Sequence, residues 1–393
     1  MNVVICPSWY PQNKDDMAGS FFRDQAIALK NQGHRIFIFL VELQSFKQLL
    51  TGPFWKVEHH VDEQMDVYKC KVRAVMPPLY PRLFDWHGLA IKKLVFHAFL
   101  RRLQKEGKAA DVIHAHSSFY AGYLAIFASK RNNIPLVVTE HWSVLITESY
   151  NRRLYKTLED TLCNSASFIF VSNSFKNAVM HNLQFTSGKV TVIPNMVDTH
   201  TFTLRKKQNN KFSILVLCGL NKSKGVHYVI DAFELSFKNS PQVELLIGGD
   251  GVERNTLMQQ AKEKSSRDRI FFLGAVHRSK VPELMGSQHL FVMTSQPETF
   301  GIVYIEALAC GIPIIGTQGQ GVEDIVNSFN GLLVEYGNVQ ELSRAMMHIY
   351  EHYSAYDPEL IREDAIKRFS QESVSQRITE VYQKVCHTNS SRC

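Results

Sequence analysis

A chain of 393 residues is long enough for two domains of ordinary size. Its 45% hydrophobic and 21% charged residues fit a soluble globular protein, and no run of 18 apolar residues offers a membrane-spanning helix. The net charge of +7 suits an anionic substrate or an anionic membrane surface better than sequence-specific nucleic-acid binding. Seven cysteines, at positions 6, 70, 163, 218, 310, 386 and 393, show no C-x-x-C spacing, which points to free thiols in a reducing cytoplasm.

Taken in order, Asn2–Pro7 lacks the basic flank of a signal peptide and reads as the opening strand of a sheet. Strands are then predicted at Arg35–Val41, Asp111–Ala115, Leu136–Thr139, Ser167–Val171 and Val190–Ile193. Helices are predicted at Phe21–Asn31, Tyr120–Lys130, Glu148–Asn164 and Phe175–Leu183. The alternation restarts after the polar stretch Arg205–Lys211, which reads as a linker. Strands at Phe212–Cys218, Val243–Ile247, Ile270–Leu273, His289–Met293, Ile312–Ile315 and Leu332–Val334 are interleaved with helices from Val226 to Tyr353. The expected fold is therefore α/β, with two doubly wound, Rossmann-like domains. The predicted boundaries are 1–204 and 205–369, with a C-terminal helix of about 370–388 packing back on the first domain. Ligands of such sheets bind beyond the carboxyl ends of the strands, so a central cleft between the domains is the expected active site.

Gln44–Ala110 departs from the alternation. It is rich in aromatics and holds 12 Lys/Arg against 6 Asp/Glu. Within it, Leu89–Leu103 sets Lys92, Lys93, Arg101 and Arg102 beside Ile91, Leu94, Val95, Phe96 and Phe99. The pattern reads either as an interfacial helix on an anionic membrane or as a core-packed helix with a solvated basic face.

Pro297–Gly311 carries the densest chemistry. It follows an apolar run, and a helix is predicted from Phe300 onward, stopped by Gly311 and Pro313. A helix start offers unpaired N–H groups and a positive dipole end to a phosphate. Glu298 before it and Glu306 within it are separated by seven residues. Carboxylates repel phosphate but accept hydrogen bonds from hydroxyls, so the pair suits a sugar on one side and a ribose on the other. That is the layout of a nucleotide-sugar site.

This segment, with Ile193–Asp198 and Lys224-Gly225, resembles the family-4 glycosyltransferases, retaining enzymes of the two-Rossmann GT-B fold. Ser8–Pro11, Gly19–Phe22, Asp111–His116, Thr139–His141, Gly248–Gly251 and Phe272–Gly274 extend the resemblance along nearly the whole chain. It implies donor-binding roles for Gly19, Lys224, Gly225, Glu298, Thr299, Phe300, Gly301, Ile302, Val303 and Glu306. Glu298 would take the sugar hydroxyls, the N–H groups around Phe300–Val303 the distal phosphate, and Glu306 the ribose. Lys224 would neutralise the departing diphosphate. Gly19 would let backbone approach that diphosphate. His141 would contact the sugar or the acceptor, and the implied catalytic set is His141, Glu298 and Lys224.

No D-x-D pair occurs, so no metal and no cofactor beyond the nucleotide sugar is expected. His114 and His116 lie two apart on a strand, too few for a metal site. An Arg common in this family before the Lys-Gly pair is missing, with Gly219 in its place and Lys222 as a substitute charge. Gly319-Gln320-Gly321 stands where the family more often has adjacent glycines.

The implied activity is transfer of a sugar from a UDP- or GDP-sugar to a hydroxyl of a glycan or lipid-linked glycan. Its setting would be polysaccharide, capsule or lipopolysaccharide-type assembly, cytoplasmic or peripheral on the inner membrane face through residues 44–110. Acceptor contacts are expected around Gly19, Gln44–Arg82 and Thr139–Tyr150, with no nucleic-acid partner, and domain closure completing the site. The alternatives are a GT-B nucleotide-sugar epimerase or phosphorylase-like enzyme, and a non-catalytic sugar-nucleotide-binding homologue.

Overall fold

The computed structural model describes residues 1–11, 19–44, 55–73, 81–147, 152–183, 189–207 and 211–390. Parts of the aromatic stretch (45–54, 74–80), the start of the helix predicted at Glu148 and the middle of the linker (208–210) lie outside them. The chain forms two compact units. One comprises Met1–Val171, Val179–Ile193 and Ser375–Cys393, the other Ser172–Ala178 and Pro194–Val374. The division falls at Ile193/Pro194, where the sequence pattern sets it at 204/205, and the last helix crosses from the second unit into the first.

The strands of the first unit are β1 (Asn2–Pro7), β2 (Arg35–Gln44), β3 (Trp55–Asp62), β4 (Met65–Arg73), β5 (Val112–His116), β6 (Leu136–Glu140), β7 (Ser167–Phe170) and β8 (Val190–Val192). Among the described residues they form one sheet in the order β3-β4-β2-β1-β5-β6-β7-β8, parallel except for the β3–β4 pair. The central strands are unbroken apolar runs because helices cover both faces, and Val3, Val4, Ile5, Val112 and Ile113 are all buried. The order reverses between β1 and β5, so the switch point lies beyond Pro7 and His116.

The β3–β4 hairpin is an addition to the predicted elements. Its turn is Glu63-Gln64, both at positive φ, without the Asn-Gly that usually announces such a turn. A buttress ties it to the first helix, Ser20–Asn31. Arg23 grips Asp62 through Nε at 2.7 Å and Nη2 at 2.8 Å, and the Tyr10 hydroxyl donates to Asp62 at 2.9 Å. The Arg23 hydrogen bonds hold the Asp62 carboxyl below its ordinary range.

The basic aromatic helix runs over Pro81–Lys105. Its apolar residues Val95, Phe96, Phe99, Leu100 and Leu103 are core. Phe96 and Phe99 stack on Phe39 at 4.9 and 4.2 Å. Val95, Phe96 and Phe99 of the membrane reading are thus spent internally, whereas Leu94 is 60% exposed and Arg101 and Arg102 belong to the solvated face. No described helix is long and apolar enough to cross a membrane.

The last helix, Gln371–Ser390, packs on the first sheet from Ser375 onward. The Tyr382 hydroxyl meets His114 Nδ1 at 2.6 Å, Thr379 Oγ1 meets His34 Nε2 at 2.9 Å, and Arg377 donates to the Val192 carbonyl at 2.8 Å. The first two bonds satisfy polar groups in a closed interior, while the Arg377 bond lies at the surface.

The second unit repeats the pattern with β9 (Phe212–Leu217), β10 (Val243–Gly248), β11 (Ile270–Gly274), β12 (Leu290–Val292), β13 (Ile314–Thr317) and β14 (Gly331–Val334). Its sheet is parallel, in the order β11-β10-β9-β12-β13-β14, so its switch point lies beyond the ends of β9 and β12. Arg269 caps the carboxyl end of the helix Val226–Phe237, donating to the carbonyls of Phe237 at 2.7 Å and Lys238 at 3.0 Å.

Tyr382→Phe removes one buried partner and leaves His114 Nδ1 without it, a cost of about 1–3 kcal/mol to the first unit. All four tryptophans (Trp9, Trp55, Trp86, Trp142) belong to that unit, so urea unfolding followed by tryptophan fluorescence reads it alone. An unchanged midpoint would show that the helix is not anchored through this bond.

Candidate functional site

In the second unit, three loops converge beyond β9, β12 and β13. The loop after β9 makes one turn, Lys222–Lys224, and enters the helix Val226–Phe237 through Gly225 at φ 64°. A Cβ on Gly225 would stand 2.3 Å from the Thr294 carbonyl oxygen. The loop after β12 therefore lies directly on Gly225, an approach only glycine permits. Gln296 N–H donates to the Ser223 carbonyl at 2.8 Å across the same contact. This packing aims Lys224 at Glu298, with Nζ to Oε2 at 2.8 Å, and Ser295 Oγ donates to the same oxygen at 3.2 Å.

The loop after β13 supports Glu298 from behind. The Glu298 N–H donates to Gln320 Oε1 at 2.7 Å, and Gly321 N–H donates to the Glu298 carbonyl at 2.9 Å. A Cβ on Gly321 would come within 2.2 Å of the Thr299 carbonyl oxygen. Gly321 thus permits this close backbone approach, and the preceding Gln320 contributes its side chain.

The helix of the E-x7-E segment runs over Ile302–Ala309. It enters through Gly301 at φ 87°, and no side chain caps it. Phe300 is buried, and Ile302 and Val303 open the first turn, where uncapped N–H groups suit an anion. Glu306 is 1% exposed on this helix. It is ion-paired with Arg278, Nη2 to Oε1 at 2.6 Å. The guanidinium also lies over the Phe202 ring at 5.1 Å. Arg278 carries no mark in the sequence. A buried carboxylate demands a cation, but nothing in the spacing says which of 44 basic residues supplies it. Gly219 faces open space, with no atom within 4 Å of the place a side-chain carbon would take, and Lys222 is exposed. A hollow of about 490 Å³ lined by Arg205, Lys206, Lys207, Glu283 and Ser287 is formed by none of these site residues.

In the first unit, Gly19 adopts φ 80° at the start of the first helix. A Cβ there would meet Trp9 Cδ1 at 2.8 Å, so the Trp9 loop by itself requires this glycine. His141 follows β6. Its Nε2 meets His116 Nδ1 at 3.2 Å, and Phe21 and Phe22 flank its ring at 5.1 and 5.3 Å. Burial lowers the pKa of His141 and of His114 to about 3, and that of His116 well below its ordinary value. His141 is therefore a neutral hydrogen-bonding ring at physiological pH.

Glu140, likewise unmarked by any spacing rule, organises this end of the sheet. Its Oε1 accepts from the N–H groups of His141 and Trp142, each at 3.0 Å. Its Oε2 accepts from the Ser118 N–H at 2.7 Å and the Ser118 hydroxyl at 2.5 Å. Burial pushes its pKa up while these four donors pull it down, with burial prevailing.

Comparison with known proteins agrees with this geometry. Residues 18–201 match the Glycosyltransferase Family 4 description, and residues 200–368 match Glycosyl transferases group 1. The chain belongs to the family-4 glycosyltransferases. The phosphatidylinositol N-acetylglucosaminyltransferase gpi3 subunit of Schizosaccharomyces pombe is 24% identical over 72% of this chain and 63% of its own length. The chain thus spans less than two thirds of that relative. The N-acetyl-alpha-D-glucosaminyl L-malate synthase of Bacillus anthracis is 25% identical over 70% of this chain and 75% of its own. Among solved structures, Anabaena HepE in complex with UDP superposes with a TM-score of 0.74 at 22% identity, covering 98% of this chain and 100% of that one. That likeness establishes the GT-B fold.

Two predictions arise here. Arg278→Leu strands the Glu306 carboxylate and costs the second unit about 3–5 kcal/mol, whereas adding Glu306→Leu recovers most of the loss. Urea unfolding followed by far-ultraviolet circular dichroism reads both, and a single-variant cost below about 1 kcal/mol would overturn the pairing. The second concerns acid. The folded first unit holds His114 and His141 neutral down to about pH 3, whereas the unfolded chain protonates them below about 6.5. Protons therefore favour unfolding, and stability falls as pH drops from 6.5 towards 3, by up to about 1.4 kcal/mol per pH unit per histidine. A fluorescence-monitored urea midpoint that stays level from pH 7 to pH 5 would show these rings to be protonated in the fold.

Proposed function

We propose that the chain is a retaining glycosyltransferase that moves a sugar from a UDP- or GDP-sugar to a hydroxyl of a glycan or lipid-linked glycan, without a metal. The observation that carries this reading is the Lys224–Glu298 pair at 2.8 Å, in front of an uncapped helix start whose own Glu306 is buried. A cation that can pass from carboxylate to diphosphate stands beside a carboxylate that can then take sugar hydroxyls. N-acetylglucosaminyl transfer in the name of one relative, the N-acetylglucosaminyl group in that of another, and UDP in a structural neighbour favour a UDP-linked N-acetylhexosamine as donor.

In this mechanism the bond between the anomeric carbon and the diphosphate oxygen breaks, and the acceptor oxygen bonds to the same face of that carbon. The acceptor's proton passes to the departing phosphate. Lys224 and the N–H groups of Ile302 and Val303 stabilise the charge that develops there. Glu298, steered by Lys224, Ser295 and Gln320, orients the sugar rather than attacking it. Glu306 takes the ribose hydroxyls, and neutral His141 offers a hydrogen bond to the sugar or acceptor.

Contact with an anionic membrane would rest on charge, since Phe96 and Phe99 are core while Arg101, Arg102 and Lys105 face solvent.

The test is a panel of UDP-, GDP-, ADP- and CMP-sugars, with and without membrane extract, read as free nucleotide. Release from a UDP- or GDP-sugar is expected. Lys224→Ala should lower kcat/KM about 10²–10³-fold, and Glu306→Ala should weaken nucleotide binding about tenfold or more. No release and no binding from any donor would sink the reading, and unchanged affinity in Glu306→Ala would remove the ribose assignment.

A further inference from the structure

Beyond β5 and β6 the first unit carries three aromatic side chains on two short segments. Phe119 and Tyr120 belong to a π-helical turn, Ser117–Gly122, and Trp142 follows His141. Their rings form one cluster, with centroids 4.9 Å apart for Phe119–Tyr120, 5.7 Å for Phe119–Trp142 and 6.2 Å for Tyr120–Trp142. Tyr120 is 51% exposed, and Phe119 and Trp142 are half-buried. The cluster is an open ledge rather than a core.

The backbone beneath it is held in an unusual way. Glu140 binds Ser118 with one oxygen and the His141 and Trp142 N–H groups with the other, so a single inward carboxylate fixes both segments. Ser117 adopts φ 71°, a conformation costly for a residue with a side chain. Single-turn π-helices are rare and concentrate at functional sites. Two further buried polar atoms, His116 Nε2 and Ser117 Oγ, have no hydrogen-bond partner among the described residues. A rigid mount of this kind is out of proportion to the packing of three partly exposed rings.

We propose that Phe119, Tyr120 and Trp142 form a stacking platform for a neutral saccharide ring of the acceptor, next to His141. The inference rests on the transferase reading above and names its acceptor contacts. The ligand class follows from the chemistry. Aromatic faces carry negative charge density and attract the C–H face of a pyranose. The tyrosine hydroxyl and indole N–H offer polar handles at the rim. The carboxylate of the mount, Glu140, is turned inward and occupied by four donors, and the cluster itself is uncharged. A neutral polyol with one apolar face fits this surface, whereas a phosphorylated headgroup would find no cation in the cluster.

The full chain would be examined by saturation-transfer-difference NMR with methyl glucoside, methyl galactoside, methyl N-acetylglucosaminide and chitobiose as probes. UDP and GDP binding would be measured in parallel by calorimetry. At least one sugar should receive saturation through the C–H protons of one ring face. Tyr120→Ala and Trp142→Leu should weaken that binding about three- to tenfold, Trp142→Phe should restore most of it, and nucleotide affinity should persist throughout. The rescue by phenylalanine separates stacking from mere filling, because leucine also fills. A wild-type chain that binds nucleotide but saturates no sugar overturns the platform, as does a Trp142→Leu chain with unaltered sugar binding. Loss of flotation on neutral phosphatidylcholine vesicles in Tyr120→Ala, with sugar binding intact, would make the ledge a lipid contact and also overturn it. Failure to bind any nucleotide would instead strike the underlying transferase reading.

Discussion

Backbone laid on backbone is the constraint from which the donor-side geometry follows. Gly225 lies on Thr294, and Gly321 lies on Thr299, in both cases closer than any side chain would allow. These two contacts lock the loops after β9 and β13 onto the loop after β12. Main-chain packing therefore fixes the points from which the Lys224 and Glu298 side chains reach each other. That is the preorganisation an electrostatic site requires, because a loosely held cation would be reorganised at the moment charge develops.

The same unit manages two carboxylates in different ways. Glu298 is partly accessible and pairs with Lys224, which in the proposed reaction would also meet the diphosphate. Glu306 is 1% exposed and is ion-paired with Arg278 through Oε1. Desolvation makes an unpaired carboxylate at that depth costly, so Arg278 is needed for the fold before any ligand is considered. Two carboxylate–cation pairs thus stand within one loop and helix, one partly accessible at its carboxylate and one with its carboxylate almost fully buried.

Much of this is legible in the sequence, and what is not has physical causes. The alternation of strands and helices, the helix start near Gly301 and the importance of Lys224-Gly225 are readable because periodicity and glycine placement are local signals. Membership of the family-4 glycosyltransferases follows from motifs in a fixed order. The β3–β4 hairpin is not readable, because Glu63-Gln64 makes a turn with no glycine to mark it. The helix Pro81–Lys105 is ambiguous because core aromatics and interfacial aromatics have the same spacing, and only the position of Phe39 decides between them. Arg278, Gln320 and Glu140 act through partners distant in sequence or through backbone, which no spacing rule records. The resemblance implies contact with a diphosphate at Gly19, and the structure adds a local reason for the glycine in its φ of 80° and the Trp9 side chain against it.

The two units differ in the chemistry they display at their switch points. Beyond β9 and β12 the groups are ionic: a lysine, two carboxylates, an arginine and a bare helix start. Beyond β1, β5 and β6 they are neutral or aromatic, with burial keeping His114, His116 and His141 uncharged and Glu140 directed into backbone N–H groups. A nucleotide sugar brings a diphosphate, whose charge needs the first kind of surface. A sugar hydroxyl acting as acceptor brings no charge, and a cationic histidine beside it would withdraw electron density from the attacking oxygen. A neutral His141 accepts or donates a hydrogen bond without that penalty. The low pKa values that weaken the first unit in acid are thus the same property that fits it for the acceptor in the proposed reaction.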